Sequence, residues 1–233
     1  MEDGAADPAE AARPVKEKSA EALRRRARRN QRKAWADGYL LGICTLLRPG
    51  DLAVDLGANK GDVTEMLAAT GADVVAFEPD PMTFERLRAR FEGAANVTLV
   101  HAAAGVGFGT VRLLRAENFA ENPEGASVKS TILGGGRRID AGNSVEVALI
   151  DFPAWVRGQV TARGQIAFVK MDIEGAELDI LEAMDREGLF AGIRGLVAET
   201  HERKFKDLRE RYKALKLAIA EHEPSGKINL DWI

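Results

Sequence analysis

The feature that most constrains the fold is the stretch DLGANKGD at positions 55–62. An apolar run at 52–54 precedes it, and residues 63–70 have a composition that can form a helix. Gly57 and Gly61 allow positive φ angles and a close approach of the backbone to a ligand. The start of the helix turns unpaired N–H groups and a positive dipole end toward the same turn. The sequence therefore predicts a strand, a tight turn and a helix that together bind a nucleotide-like ligand.

The spacing of glycines within this turn indicates which nucleotide-like ligand it suits. A diphosphate-binding turn has the pattern G-x-G-x-x-G, but here Asn59 takes the place of the second glycine and Asp55 lies two residues before Gly57. A carboxylate at this position repels a diphosphate and suits a ligand with a cationic end. S-adenosylmethionine carries both a sulfonium and an ammonium group, and we predict it as the ligand. Taken alone, the stretch also fits a left-handed turn that binds nothing.

A second acidic residue follows the next predicted strand, at residues 72–77. Glu78 lies 23 residues after Asp55, and a carboxylate at the end of the second strand of a βαβ unit can accept hydrogen bonds from both ribose hydroxyls. Pro79 ends the strand, and Asp80 can cap the helix that follows. The pair of acidic strand ends therefore favours a ligand-binding βαβ unit over an empty turn.

In combination, several segments resemble the FkbM-type family of S-adenosylmethionine-dependent methyltransferases. The matching segments are residues 54–61, 77–80, 101–105, 169–177 and 199–202. The resemblance implies a class I methyltransferase fold and the transfer of a methyl group, usually to a hydroxyl group of a sugar or another natural product. We therefore expect the cofactor to contact the ends of the first three strands. The predicted cofactor-binding residues are Asp55, Gly57, Ala58, Asn59, Gly61, Asp62, Glu78, Pro79 and Ala102.

The order of the predicted elements indicates one α/β domain. The predicted core strands cover residues 52–56, 73–78, 97–101, 165–171 and 195–198. Helices between them predict a Rossmann-like, doubly wound and mostly parallel sheet, to which the resemblance adds an antiparallel C-terminal strand. We expect a basic helical extension at 1–36 and a methyltransferase domain at 37–233, with a substrate-recognition insertion at about 105–145.

Charge is distributed unevenly along the chain. Residues 13–33 hold ten Lys or Arg and two Glu, a balance of +8, so the remainder carries −11 within the total of −3. Three interpretations of this predicted helix stay open: a solvated arm packed across the acidic domain, a lid or dimer element over the active site, and a nucleic-acid contact. No aromatic residues alternate with the arginines at 24–29, so we do not predict nucleic acid as a partner.

Charged residues end the fourth and fifth predicted strands. Lys170 and Asp172 end an apolar strand and point to the same side, a costly placement that is typical of functional sites. Glu199 and His201 end the neighbouring strand, and we predict that all four residues line the methyl-transfer site. An unperturbed histidine pKa of about 6.5 suits removal of a hydroxyl proton, so His201 is the predicted general base. The alternatives are a structural histidine, or a divalent metal ion held by Asp172, Glu199 and His201.

The composition indicates where the protein is expected in the cell, and two rival functions stay open. The chain has no run of 18 apolar residues and no signal-peptide pattern, so we expect the cytoplasm and no membrane partner. Its only cysteine, Cys44, lies in an apolar stretch and is expected to be a buried, inert thiol. The expected partner is a small-molecule acceptor, with a saccharide preferred and a homodimer left open. The rival functions are an NAD(P)-dependent oxidoreductase and a non-catalytic cofactor-binding module that acts through the basic arm.

Overall fold

The computed structural model describes residues 20–116, 131, 139–201 and 206–232. The strands in these residues are β1 (Leu52–Leu56), β2 (Asp73–Phe77), β3 (Val97–Val100), β4 (Ala103–Gly105), β5 (Gly109–Ala116), β6 (Ile139–Asp151), β7 (Phe168–Met171), β8 (Leu196–Ala198) and β9 (Ile228–Asn229). The α-helices are α1 (Ala20–Leu46), α2 (Asp62–Ala68), α3 (Pro81–Arg90), α4 (Phe152–Arg163), α5 (Glu177–Arg186) and α6 (Arg209–His222). Most of the predicted recognition insertion, and the part of the basic arm before residue 20, lie outside the described residues.

The central sheet has the strand order β3-β2-β1-β7-β8-β9, and each neighbouring pair is parallel. The predicted doubly wound, mostly parallel sheet is thereby confirmed. The chain adds strands outward from β1 on one side and outward from β7 on the other, so the strand order reverses between β1 and β7. Ligands of open α/β sheets bind at such a switch point, beyond the carboxyl ends of the strands.

Alternation along β1 sends its side chains to two different cores. Leu52, Val54 and Leu56 pack with residues of α4, α5 and α6, whereas Ala53 packs with residues of α1 and α2. Asp55 therefore points to the same face of the sheet as Ala53 and α2. Lys170 is its neighbour in the register between β1 and β7.

A smaller sheet joins β4, β6 and β5 in that order. β4 runs parallel to β6, and β5 runs antiparallel to it with an irregularity between Leu114 and Arg115. β5 and the start of β6 therefore fall within the predicted recognition insertion. Arg115 extends from this sheet to the helix cap of α3, where its Nε atom donates to Oδ2 of Asp80 at 2.7 Å.

The predicted boundary between the basic extension and the domain, at residue 36, falls inside the continuous helix α1. Neither Trp35 nor Asp37 interrupts the backbone hydrogen bonding of a helix in the way that proline does. Ala36 and Leu40 are buried against the domain. The basic extension from residue 20 onward is thus a direct continuation of a helix that packs on the sheet.

The C-terminal strand differs from the prediction. β9 pairs with β8 in parallel, with Leu196 beside Ile228, and an antiparallel arrangement is confined to an isolated bridge between Glu199 and Asp231. The parallel direction results because α6 carries the chain back along the sheet before β9 begins, as in a β-α-β crossover.

No helix within the described ranges is both long enough and apolar enough to cross a membrane. The thiol of Cys44 is partly buried and lies 3.7 Å from the carbonyl oxygen of Met66, and burial raises its pKa. A raised thiol pKa disfavours the nucleophilic thiolate, in agreement with the inert thiol expected from sequence. The cytoplasmic location and the homodimer stay predictions.

Candidate active site

Backbone contacts fix the turn between β1 and α2. The N–H groups of Gly57 and Ala58 donate to the carbonyl oxygen of Phe77, at 3.0 and 2.9 Å. Gly57 has a φ of 75°, and a Cβ atom at this position would lie 1.9 Å from the carbonyl oxygen of Asp172. Only glycine fits there, because any side chain would collide with a backbone atom. The turn thereby holds the end of β1 closely against the end of β7.

Glu78 lies beside this turn at the end of β2. Its Oε2 atom accepts from the N–H of Asn59 at 2.9 Å, and its Oε1 atom accepts from the N–H of Asp80 at 2.8 Å. Burial is the largest influence on this carboxyl group and, in spite of the two N–H donors, raises its pKa to about 7. Asn59 itself has a φ of 51°, so the turn reaches Glu78 through a left-handed residue.

Asp55 lies behind the turn and not in the cavity. Its side chain has no exposed surface; Oδ2 accepts from the hydroxyl of Thr64 at 2.7 Å, and Oδ1 is 3.1 Å from Nζ of Lys170. Lys170 also donates to two carbonyl oxygens of the turn, at 3.2 and 2.9 Å. Desolvation opposes the ammonium form, but the charges of Asp55 and Asp172 outweigh it and raise the pKa of Lys170. Asp55 is thus the counter-ion of Lys170, whereas the sequence predicted a direct contact with the cofactor.

A second cluster of charged side chains surrounds His201, beyond the end of β8. The imidazole is 4% exposed, and its Nδ1 atom is 3.1 Å from Oε1 of Glu177. Its Nε2 atom lies 3.3 Å from a carboxylate oxygen of Glu174, 3.8 Å from one of Glu199 and 4.0 Å from one of Asp172. Four carboxylates, three from residues 172–177 and one from Glu199, therefore converge on one ring.

The sequence did not identify two of these carboxylates as site residues. Glu177 is fully buried and accepts from the N–H groups of Ile173 and Gly175, at 3.0 and 2.8 Å, so it braces the loop after β7. Glu174 has a φ of 60°, a conformation that is uncommon for residues other than glycine and that occurs more often at functional sites. In sequence both residues have the ordinary signature of acidic residues near a helix start. Their contact with His201 depends on how β7 and β8 are paired.

The surrounding charges decide the protonation of His201. Desolvation lowers the pKa of the imidazole, but the carboxylates of Glu174 and Glu177 outweigh it and raise this pKa to about 10. At neutral pH the ring is therefore an imidazolium, which cannot take a proton from a hydroxyl group, and this conflicts with the predicted role of His201 as general base. Desolvation raises the pKa of Asp172, although the charges of Lys170 and His201 oppose the rise. Asp172 is consequently a stronger base than an ordinary aspartate.

Asp172, Glu199 and His201 each offer a donor atom within 4.8 Å of the others. Carboxylate and imidazole donors at such spacing can hold a divalent metal ion. An ion at this point would have to displace the proton on Nε2, because imidazole binds metals in its neutral form. The imidazolium and a metal ion are therefore mutually exclusive at this position.

A cavity of about 2340 Å³ is bordered both by Lys170 and by the carboxylates around His201. The predicted site residues that line it are Gly57, Ala58, Asn59, Asp62, Glu78, Pro79, Ala102, Lys170, Asp172, Glu199 and His201. Asp55 and Gly61 do not line it. Further parts of its wall come from Glu174, from the C-terminal Trp232 and from α1. A site for one small molecule has a volume of roughly 300–1,000 Å³, so this cavity accommodates a cofactor together with an acceptor.

The chain matches known methyltransferases in sequence. The family profile described as methyltransferase FkbM domain covers residues 55–219. The chain is similar to the 31-O-demethyl-FK506 methyltransferase FkbM of Streptomyces tacrolimicus, with 29% identity over 73% of this chain and 73% of that protein. A segment with 45% identity covers 23% of this chain and 20% of the ribosomal RNA small subunit methyltransferase A of Thermotoga petrophila. The crystal structure of a precorrin-6y C5,15-methyltransferase from Geobacter metallireducens matches with 16% identity and a TM-score of 0.40, over 76% of this chain and 68% of that one.

Proposed function

The chain belongs to the FkbM methyltransferase family, and on this premise we propose that it transfers the methyl group of S-adenosylmethionine to a hydroxyl group of a saccharide or another small natural product. The observation that carries the proposal is the shared cavity, which joins the carboxylate of Glu78 to the charged residues around Asp172. A cofactor held at the ends of β1 and β2 thus faces an acceptor held at the ends of β7 and β8.

The residues at the ends of β1 and β2 fit the cofactor. The carboxylate oxygens of Glu78 each accept one N–H and keep further lone pairs for the ribose hydroxyls. Ala102 has a small side chain, which leaves room for a flat adenine ring. When bound, S-adenosylmethionine supplies an electrophilic methyl group on a positively charged sulfur. The carboxylates in the wall attract this positive charge.

Asp172 is the residue that we assign to proton removal. Its side chain is 30% exposed, and its two carboxylate oxygens lie 4.0 Å from Nζ of Lys170 and 4.0 Å from Nε2 of His201. These two cations keep the carboxylate ionised until the acceptor arrives. The carboxylate would then take the hydroxyl proton as the hydroxyl oxygen bonds to the methyl carbon and the bond between that carbon and sulfur breaks, which would release S-adenosylhomocysteine. Positioning of the two reactants supplies much of the remaining rate enhancement.

Calorimetric titration with S-adenosylhomocysteine tests the cofactor assignment, with NAD⁺ and NADP⁺ as the competing ligands. We expect S-adenosylhomocysteine to bind and the two dinucleotides not to bind, because Asn59 replaces the glycine that admits a pyrophosphate. Preferential binding of a dinucleotide would contradict the proposal and favour an oxidoreductase.

Transfer of a labelled methyl group tests the reaction itself. The wild-type protein and Asp172→Asn are incubated with labelled S-adenosylmethionine and a panel of saccharides, amines and carboxylic acids. We expect transfer to saccharide hydroxyls, and a rate at least about 100-fold lower in Asp172→Asn with unchanged affinity for S-adenosylhomocysteine. Asp231→Asn serves as the control, since Asp231 also lines the cavity but forms its ion pair with Lys216. Cofactor binding without transfer to any acceptor would favour the non-catalytic module.

A further inference from the structure

The N-terminal half of α1 places arginines in the wall of the cavity. Arg28, Arg29 and Arg32, here called the arginine stripe, all line it. Their spacing of three and four residues puts them on one face of the helix. The same face continues into Ala36 and Leu40, which are 2% and 3% exposed and pack against the domain. The arginine stripe therefore lies on the side of α1 that borders the cavity, with its side chains exposed.

The opposite face of α1 carries small and apolar residues. Leu23, Ala27 and Ala34 are exposed, and none of the three lines the cavity. A solvated helix on a protein surface turns its apolar face inward and its charged face to water. This half of α1 differs, because residues 20–35 are all exposed and neither face is buried. The arginine stripe thus lies at the open side of the cavity, where its guanidinium groups can reach a ligand inside it.

Carboxylates in the described part of the protein do not neutralise the arginine stripe. The ion pairs of α1 are internal to the helix and join Arg25 to Glu21 and Lys33 to Asp37. The carboxylates on the opposite wall of the cavity are close to Lys170 and His201 instead. Positive charge in the cavity wall is thus available for an anionic group of a ligand.

Because the proposed function places the acceptor in this cavity, we propose that the arginine stripe binds a phosphate or carboxylate group of the acceptor. The acceptor is then an anionic small molecule, such as a saccharide phosphate or an acidic saccharide. Guanidinium groups bind either anion through paired N–H donors. The carboxylates around Asp172 repel the anionic end. The two walls together orient the acceptor, with its anion at α1 and its reacting hydroxyl at Asp172.

A small molecule suits this arrangement better than a nucleic acid does. The arginine stripe borders a space that also contains the carboxylates of Glu78 and Asp172, and these repel the repeated phosphates of a nucleic acid. Arg24 and Arg26 lie on the same helix but do not line the cavity. These two residues provide a control for the general positive charge of α1.

Two charge-matched double variants test the anion site. Arg28→Gln/Arg32→Gln removes two charges from the arginine stripe, and Arg24→Gln/Arg26→Gln removes two charges outside the cavity. Pyrophosphate and glucose 6-phosphate are titrated by calorimetry at constant ionic strength, with glucose as the uncharged control. We expect the first variant to bind both anions at least about tenfold more weakly than the wild type. The second variant should stay within about twofold of the wild type, as is usual for surface substitutions.

Three outcomes would overturn the anion site. They are equal weakening in both variants, no binding of either phosphate by the wild type at millimolar concentration, and tight binding of a uridine oligonucleotide that both variants weaken alike. The last outcome would identify a nucleic-acid contact instead. S-adenosylhomocysteine is titrated in parallel, because its failure to bind the wild type refutes the proposed function. Retained binding of S-adenosylhomocysteine without phosphate binding refutes the anion site alone.

Discussion

The two ends of the cavity are built in different ways. The cofactor end, formed by Gly57 and Glu78 with the turn between them, comes from one βαβ unit and is fixed by contacts to backbone atoms. The proposed transfer end gathers charged side chains from the loop after β7 and from the end of β8, among them Asp172, Glu177 and His201. The first end therefore depends on local chain geometry, and the second depends on the balance of charges.

This difference predicts which kind of change should disable each end. Steric changes should disable the cofactor end, because its turn has no room for additional atoms. Changes of charge or pH should disable the transfer end, because its charged side chains lie close together and their pKa values depend on one another. Four experiments compare the two ends, beginning with the largest expected effect.

Gly57→Val should have the largest effect of the four. The new side chain would start 1.9 Å from the carbonyl oxygen of Asp172, so the turn must move away from β7. We expect calorimetry to detect no binding of S-adenosylhomocysteine by this variant, because the turn that holds the cofactor is displaced. Gly93→Val is a matched control, since Gly93 also has a positive φ, of 78°, but has open space around its Cβ position. Similar losses in both variants would mean that backbone strain, and not the contact with β7, controls the cofactor end.

Lys170→Met tests the residue that links the two ends. Lys170 neutralises the buried Asp55 behind the cofactor end and lies 4.0 Å from Asp172 at the transfer end. Removal of its charge leaves a buried carboxylate without a counter-ion, which should lower the free energy of unfolding by about 3–5 kcal/mol. Urea denaturation measures this loss.

Two further variants show whether burial causes the effect of Lys170→Met. Lys33→Met removes the exposed ion pair with Asp37 and should cost less than about 1 kcal/mol. Asp55→Asn combined with Lys170→Met should recover part of the loss, because the uncompensated charge is gone. Equal costs for the two lysine substitutions would contradict the assigned role of the buried pair.

The same contrast explains what could be predicted from the sequence. The βαβ unit was predictable because Gly57, Glu78 and Pro79 act within a short stretch whose geometry follows from residue type. Asp55 was expected to contact the ligand, but it is fully buried behind the turn, where Lys170 is its neighbour. That neighbour lies 115 positions later in the chain, so the pairing of β1 with β7 had to be known. The orientation of the last strand was unpredictable for a similar reason.

The protonation of His201 was even less accessible from sequence. A histidine with an ordinary pKa is a reasonable general base, and the residue types near His201 in sequence are compatible with that role. The raised pKa arises from Glu174 and Glu177, which approach the ring from the loop after β7. The predicted grouping of His201 with Asp172 and Glu199 is therefore present, whereas the chemistry predicted for His201 conflicts with its raised pKa.

The stability of the transfer end should fall as the pH rises. A folded-state pKa of about 10 lies above the ordinary value of 6.5, so the stabilisation from His201 is fully present below pH 6.5 and is lost as the pH rises toward 10. We expect a loss of about 3–4 kcal/mol between pH 7 and pH 10, measured as the difference in free energy of unfolding between the wild type and His201→Gln. A difference that does not change with pH would show that the ring is not held as an imidazolium.

Glu78→Gln should have the smallest effect and the opposite pH dependence. Its carboxyl pKa of about 7 means that the wild type carries a growing fraction of neutral Glu78 as the pH falls below 7. Because the ionised carboxylate is the better acceptor for ribose hydroxyls, affinity for S-adenosylhomocysteine should rise from pH 6 to pH 8 in the wild type and stay constant in Glu78→Gln. At pH 8 the variant should bind about tenfold more weakly. If calorimetry instead gave parallel pH profiles, another group would control the cofactor end. Raising the pH above 7 should therefore strengthen the cofactor end while it weakens the transfer end, a divergence that would not arise if both ends were held by the same kind of contact.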